Sequence, residues 1–202
     1  MGLAMGPMHR VLIGMAFIIA CRGAWSQELE QGTPDCSQEA VDAAITGARS
    51  GDAAAIYKMA RHYSTGACIP RDGRTAIALY QLAAEQGYAP AFYNLGVIAA
   101  ANKDYRTAEA LFHRGAQLGH RGCELHLGIL YSFSSSIPEV GDDAKAFAWL
   151  SLAAARAGKT AMEAKAILED VAKQLRPEDQ ERGERILQQL ERTYRAVPEF
   201  RP

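Results

Sequence analysis

The stretch Tyr57–Gly87, YKMARHYSTGACIPRDGRTAIALYQLAAEQG, decides the fold, because its landmarks recur twice further along the chain. Counting from Gly51, Gly87 and Gly119, the eighth residue on is Met59, Leu95 or Leu127. Each is followed by a small residue: Ala60, Gly96 or Gly128. Tyr63, Ala99 and Tyr131 come next. Asp72, Asp104 and Asp142 then each stand four residues before an alanine (Ala76, Ala108, Ala146). The pairs Leu79-Tyr80, Leu111-Phe112 and Trp149-Leu150 follow at equal offsets from those aspartates. Unit starts are spaced by 36 and 32 residues, and 39 more lead from Gly119 to Gly158. Within a unit, two segments of helical apolar period flank a turn, which predicts a helical hairpin. A single hairpin cannot bury its apolar face, so the units are expected to stack into a solenoid. The length differences fall in the intra-unit turn, shortest at Asn102-Lys103-Asp104 and longest over 132–141 (SFSSSIPEVG), where insertion is cheap.

Composition agrees with this reading. Alanine supplies 37 of the 202 residues, and alanine favours helices while allowing them to approach closely. Alternating runs of Val, Ile and Thr are missing after residue 30, which argues against a sheet protein. With 22 basic against 23 acidic residues, the chain lacks the basic excess of a nucleic-acid binder. High apolar content with mixed charge also argues against disorder.

The amino terminus reads as an export signal. His9-Arg10 precede the apolar run VLIGMAFIIA (11–20), too short for a bilayer span of roughly 20 residues. Two processing routes and an uncleaved anchor stay open. Ala24-Trp25-Ser26 suits cleavage before Gln27, while Ile18-Ile19-Ala20-Cys21 resembles a lipobox that would place a lipid anchor on Cys21. Removing 1–26 leaves 20 basic and 23 acidic residues, so the mature chain is mildly acidic. A periplasmic or secreted location is expected, with a lipoprotein as the alternative if Cys21 is lipidated, and no membrane span after cleavage.

The repeat resembles the Sel-one-like repeat (SLR) family, a relative of the tetratricopeptide repeats with a period of about 36 residues. The resemblance is carried by Tyr63, Gly66, Asp72, Ala76, Leu79, Tyr80 and Ala83–Gly87 in the first unit. Ala91 with Asn94–Gly96, and HLGILY (126–131), carry it in the later ones. AFAWLSLAAARAG (146–158) and LxPEDQ (Leu175, Pro177–Gln180) look like the family's closing hairpin and C-terminal helix start. The second unit departs from the family pattern, lacking its GxG turn and holding Ala99 where a tyrosine is usual. The resemblance implies an all-α fold: a solenoid of antiparallel helix pairs forming a right-handed superhelix. Expected boundaries are a signal at 1–26, a linker and capping helix at 27–50, and units at 51–86, 87–118 and 119–158. C-terminal capping helices follow at 159–195, then a loose tail at 196–202. The segment 176–202 holds six acids and six bases, as suits a solvated cap.

Cleavage after Ser26 leaves Cys36, Cys68 and Cys123, so one thiol must stay unpaired within the chain. In an up-down stack, the start of the helix preceding the first unit and the turn of that unit lie at the same end. Cys36–Cys68 is therefore the expected disulfide, the alternative being two free thiols. Cys123 reads as a buried thiol.

No catalytic constellation is present: GxSxG, SxxK, HExxH and CxxC are all missing. His120-x-x-Cys123-x-x-His126 spreads three donors too widely for zinc without a fourth ligand, so no metal or cofactor is expected. In tetratricopeptide-like solenoids the first helix of each hairpin lines a concave face that takes extended partner segments. Carried across residue by residue, that face holds Tyr57, Arg61, Tyr93, Asn94, Val97, Leu125 and Ile129. The opposing reading is that several of these simply pack between hairpins. The expected function is a non-enzymatic, monomeric adaptor that binds a protein or peptide through this groove. A periplasmic regulator of a membrane sensor is the alternative. Penicillin-binding or hydrolase activity, found with some cysteine-rich SLR relatives, is the weaker rival.

Overall fold

Asp72 shows how the repeat becomes structure. Its carboxylate accepts from the amides of Arg74 and Thr75, and its own amide donates to the Tyr63 carbonyl at 2.9 Å. Asp104 and Asp142 repeat the arrangement, with amides bonded to Ala99 and Tyr131 at 2.9 Å and carboxylates capping the next helix. Such a cap contributes about 1 kcal/mol. The contact to the preceding helix is made by a carbonyl, so Ala99 serves as well as tyrosine. The missing glycine of the second turn is replaced by Lys103, which adopts φ 63° where Gly66 adopts φ 70° in the first unit.

The computed structural model describes residues 35–133, 137–156, 158–194 and 197–200. The proposed signal and both processing sites lie outside the described residues. Among those described there are nine helices and no strand: α1 (Gln38–Arg49), α2 (Ala53–Thr65), α3 (Gly73–Glu85), α4 (Ala89–Ala101), α5 (Tyr105–Gln117), α6 (Arg121–Tyr131), α7 (Asp143–Ala154), α8 (Lys159–Gln174) and α9 (Pro177–Tyr194). Successive helices from α1 to α8 pack on one another, and α9 packs on α7. The hairpins are α2–α3, α4–α5 and α6–α7, stacked as an α-solenoid.

Joints between units are built alike. Gly51, Gly87 and Gly119 adopt φ of 83°, 79° and 84°, the left-handed conformation that glycine takes without strain. The next residue's amide reaches back to Gly47, Ala83 or Gly115 at 3.0 Å in each case. Small residues inside the units admit close neighbours. A Cβ on Gly96 would meet the Phe112 ring, and one on Gly128 would meet Leu150. The core runs as linked clusters, one around Tyr80, Phe92 and Ile56, another around Phe112, Leu127, Tyr131 and Trp149.

Two features differ from the sequence expectation. The long third turn is not a surface insertion, because Phe133, Ile137 and Val140 are all buried in the second cluster. The tail is also not loose where it is described. Val197 packs on that cluster, the Phe200 amide donates to the Gly119 carbonyl at 3.1 Å, and the Phe200 ring meets Tyr88 edge-on. Gly119 makes this approach feasible, since a Cβ there would collide with the Pro198 carbonyl.

Cys36 and Cys68 are joined, with Cα atoms 5.0 Å apart and a sequence separation of 32 residues. The bond ties the start of α1 to the turn of the first hairpin. Loop closure of this length contributes about 3–4 kcal/mol. Cys123 is a buried free thiol.

Candidate functional site

The seven expected groove residues lie on α2, α4 and α6 and differ in burial. Tyr57, Asn94 and Leu125 are buried, while Tyr93, Val97 and Ile129 pack against the second core cluster. Tyr57 lies against Tyr88 and Tyr80, with ring centroids 5.0 and 5.6 Å away. Asn94 Nδ2 donates to the Tyr57 hydroxyl at 3.2 Å, joining the first helices of two consecutive hairpins. Leu125 packs with Leu150, Ala153 and Ala164, toward α7 and α8. Arg61, Tyr93, Val97 and Ile129 are part-exposed. The structure thus brings Tyr57 and Asn94 into contact, while Leu125 and Ile129 belong to a separate cluster further along the stack.

Tyr93 is the hub of a second aromatic group. His120 lies tilted against it at 5.0 Å, and His126 meets it edge-on at 4.9 Å and also faces Phe112. His126 Nδ1 donates to the Gly122 carbonyl at 2.9 Å, which fixes its tautomer, and His120 Nδ1 lies 3.4 Å from Cys123 Sγ. Burial lowers both imidazoles to about 4, and for His120 the neighbouring His126 adds to the effect. They are neutral ring-stacking groups at pH 7. Burial, and then Glu124, push the Cys123 thiol up, so it is held as the unreactive protonated form. Among the described residues, no three His, Cys, Asp or Glu side chains are grouped to hold a metal.

The sequence reading missed a buried ion cluster. Glu124 is fully buried at the position that Ile56 and Phe92 occupy in the first two units. Its Oε1 accepts from Arg121 at 2.9 Å and Arg156 at 3.3 Å, while Oε2 has no partner among the described residues. The hint was a charged residue at an apolar repeat position. A cleft of about 650 Å³ was also missed. It lies between α3, α4 and α5, lined by Ile77, Leu95, Leu111 and Arg114, and Arg114 sits 4.6 Å over the Phe92 ring.

The cap completes the site's frame. Arg182 of α9 makes a two-pronged bond to Asp142, at 2.9 and 3.1 Å, while Gly183 lets α9 approach Phe147. Tyr194 then stacks edge-on with Trp149 and delivers the tail toward Gly119.

Stacked helical hairpins with glycine joints and aspartate-capped second helices define a tetratricopeptide-like α-solenoid, a class of interaction scaffold. More narrowly, the Sel1 repeat model matches residues 53–88, 91–120 and 123–157, and the chain belongs to the Sel1 repeat family. Among solved structures, it is similar to a Sel1 repeat protein from Oxalobacter formigenes. That match has 29% identity and a TM-score of 0.53, and covers 63% of this chain and 95% of the other. A second similarity is to c5321, a protective antigen present in uropathogenic Escherichia coli strains displaying an SLR fold. It has 20% identity and a TM-score of 0.44, and covers 92% of this chain and 48% of that one. No curated protein matches the chain significantly.

Proposed function

We propose that this Sel1-repeat protein is an exported, non-enzymatic adaptor that binds another protein or peptide along the α2–α4–α6 face. The carrying observation is the buried Asn94–Tyr57 hydrogen bond between the first helices of two consecutive hairpins, beside which Arg61 and Tyr93 are part-exposed. Arginine and tyrosine on a fixed support are the residue types that dominate interface energetics. Export is supported by the apolar run at 11–20 and by the Cys36–Cys68 bond, which persists in oxidising compartments.

The test is capture from envelope extract with the wild-type chain and with Arg61→Glu and Val97→Asp. Both positions are part-exposed, and because Val97 also packs against the second cluster, circular dichroism checks that the Val97→Asp chain is folded. Partners lost from both variants support the groove; equal recovery by all three chains overturns it. Mass analysis of the mature amino terminus tests export, as cleavage before Gln27 or a lipidated Cys21 gives distinct masses.

A further inference from the structure

The described tail is an extended peptide seated on the chain's own repeats. Val197 anchors it on the second-cluster side, and the Phe200 amide is bonded to the Gly119 carbonyl. The Phe200 ring stands edge-on to Tyr88, at 5.1 Å and 84°. Tyr88 in turn rests on Tyr57, and the charges of Asp52 and Arg61 both act on its hydroxyl. Phe200 is therefore linked through Tyr88 to Tyr57 of the expected groove. Pro198 and Glu199 between the anchors are exposed, and Val197 and Phe200 are half-buried. Extended terminal segments are among the first parts of a chain to open.

Gly119 makes the seat selective for main chain. With no Cβ, it lets the Pro198 carbonyl and the Phe200 amide lie directly on the joint between the second and third units. Its left-handed backbone turns the carbonyl outward to accept. The combination of a main-chain acceptor, an aromatic wall at Tyr88 and an apolar contact three residues earlier is a peptide-recognition arrangement.

We propose that this seat is the partner-binding site of the adaptor and that Val197–Phe200 occupies it in cis. The partner is an extended segment with an aliphatic residue and, three residues later, a phenylalanine or similar aromatic, which displaces the tail on binding. This rests on the adaptor reading above and adds the chemistry of its ligand and a built-in competitor.

The probe is a fluorescein-labelled peptide of the tail sequence, RAVPEFRP, followed by anisotropy against the full chain and its full-length Phe200→Ala variant. A short tether holds its segment at an effective concentration on the order of mM. Phe200→Ala is therefore expected to bind the peptide about tenfold more tightly than wild type. Changing the peptide's phenylalanine to alanine, or adding Tyr88→Ala to the variant chain, is expected to abolish binding. Equal binding to both chains overturns cis occupancy. Failure of Phe200→Ala to bind at millimolar peptide overturns the seat itself. Circular dichroism of the Phe200→Ala chain checks that its helices are intact. If the peptide fails while Arg61→Glu still loses captured partners, the inference falls and the adaptor reading stands.

Discussion

Asn94 Nδ2 and the Tyr57 hydroxyl, 37 residues apart in sequence, are joined by a buried hydrogen bond of 3.2 Å that pins the first two repeats together. Both side chains are buried. Tyr57→Phe removes the bond and leaves a buried amide donor short of a partner, at a cost of about 1–2 kcal/mol. Urea unfolding followed by circular dichroism measures it. An unchanged midpoint would show that the bond contributes nothing to the joint.

The disulfide acts on the amino-terminal cap. Replacing Cys36 and Cys68 by serine frees the start of α1 and is expected to destabilise the chain by about 3–4 kcal/mol, the loop-closure contribution. Alkylation read by mass gives an independent check. Native protein should take no label on Cys36 or Cys68, and reduction should expose two thiols. Cys123 is buried and should label only on unfolding.

Glycines at two kinds of position predict opposite signs. At Gly128 a Cβ would press on the Leu150 side chain and lie 3.1 Å from its backbone nitrogen, so the neighbour cannot simply rotate away. Gly128→Ala should cost about 1–3 kcal/mol through overpacking. At Gly73, the first residue of α3, nothing lies within 4 Å of the added carbon. Gly73→Ala should stabilise by about 0.5 kcal/mol, through helix propensity and a less flexible unfolded chain. Thermal melts of the two variants that moved in the same direction would contradict this division.

The legible part of the fold was the part written in backbone chemistry. Asp72, Asp104 and Asp142 cap helices wherever they stand, and Gly51, Gly87 and Gly119 take the same left-handed turn, so spacing alone located the hairpins. Only the first unit announced its turn with Gly66; the second achieves it through Lys103, which no local rule selects. Phe133, Ile137 and Val140 were hidden for a different reason, because a serine-rich insertion gives no period to mark its buried side chains. Glu124 depends on Arg156, 32 residues away, and the tail's seat depends on Gly119 meeting Pro198. These are tertiary pairings, and the sequence carries them only as a misplaced charge and an ordinary joint glycine. The candidate groove residues could be placed on first helices, but which of them are buried could not be read from the sequence.

Acid should destabilise the joint between the second and third units, with His62 and His113, also lowered by burial, contributing in the same direction. His120 and His126 have folded values of about 4 against an ordinary 6.5, because burial around Tyr93 disfavours their charged forms. As pH falls below 6.5 the unfolded chain takes up protons that the folded chain refuses. Stability is therefore full above 6.5 and declines down to about 4, where the folded imidazoles also protonate. A depression of this size corresponds to about 3 kcal/mol for one such group. Carboxylates held low by hydrogen bonds, such as Asp72, act only below 3.8 and so do not confuse this window. His126→Asn, which installs the residue found at the equivalent position of the second unit, should flatten the decline between pH 6.5 and 4 in urea titrations. A variant with the wild-type slope would place the acid sensitivity elsewhere in the chain.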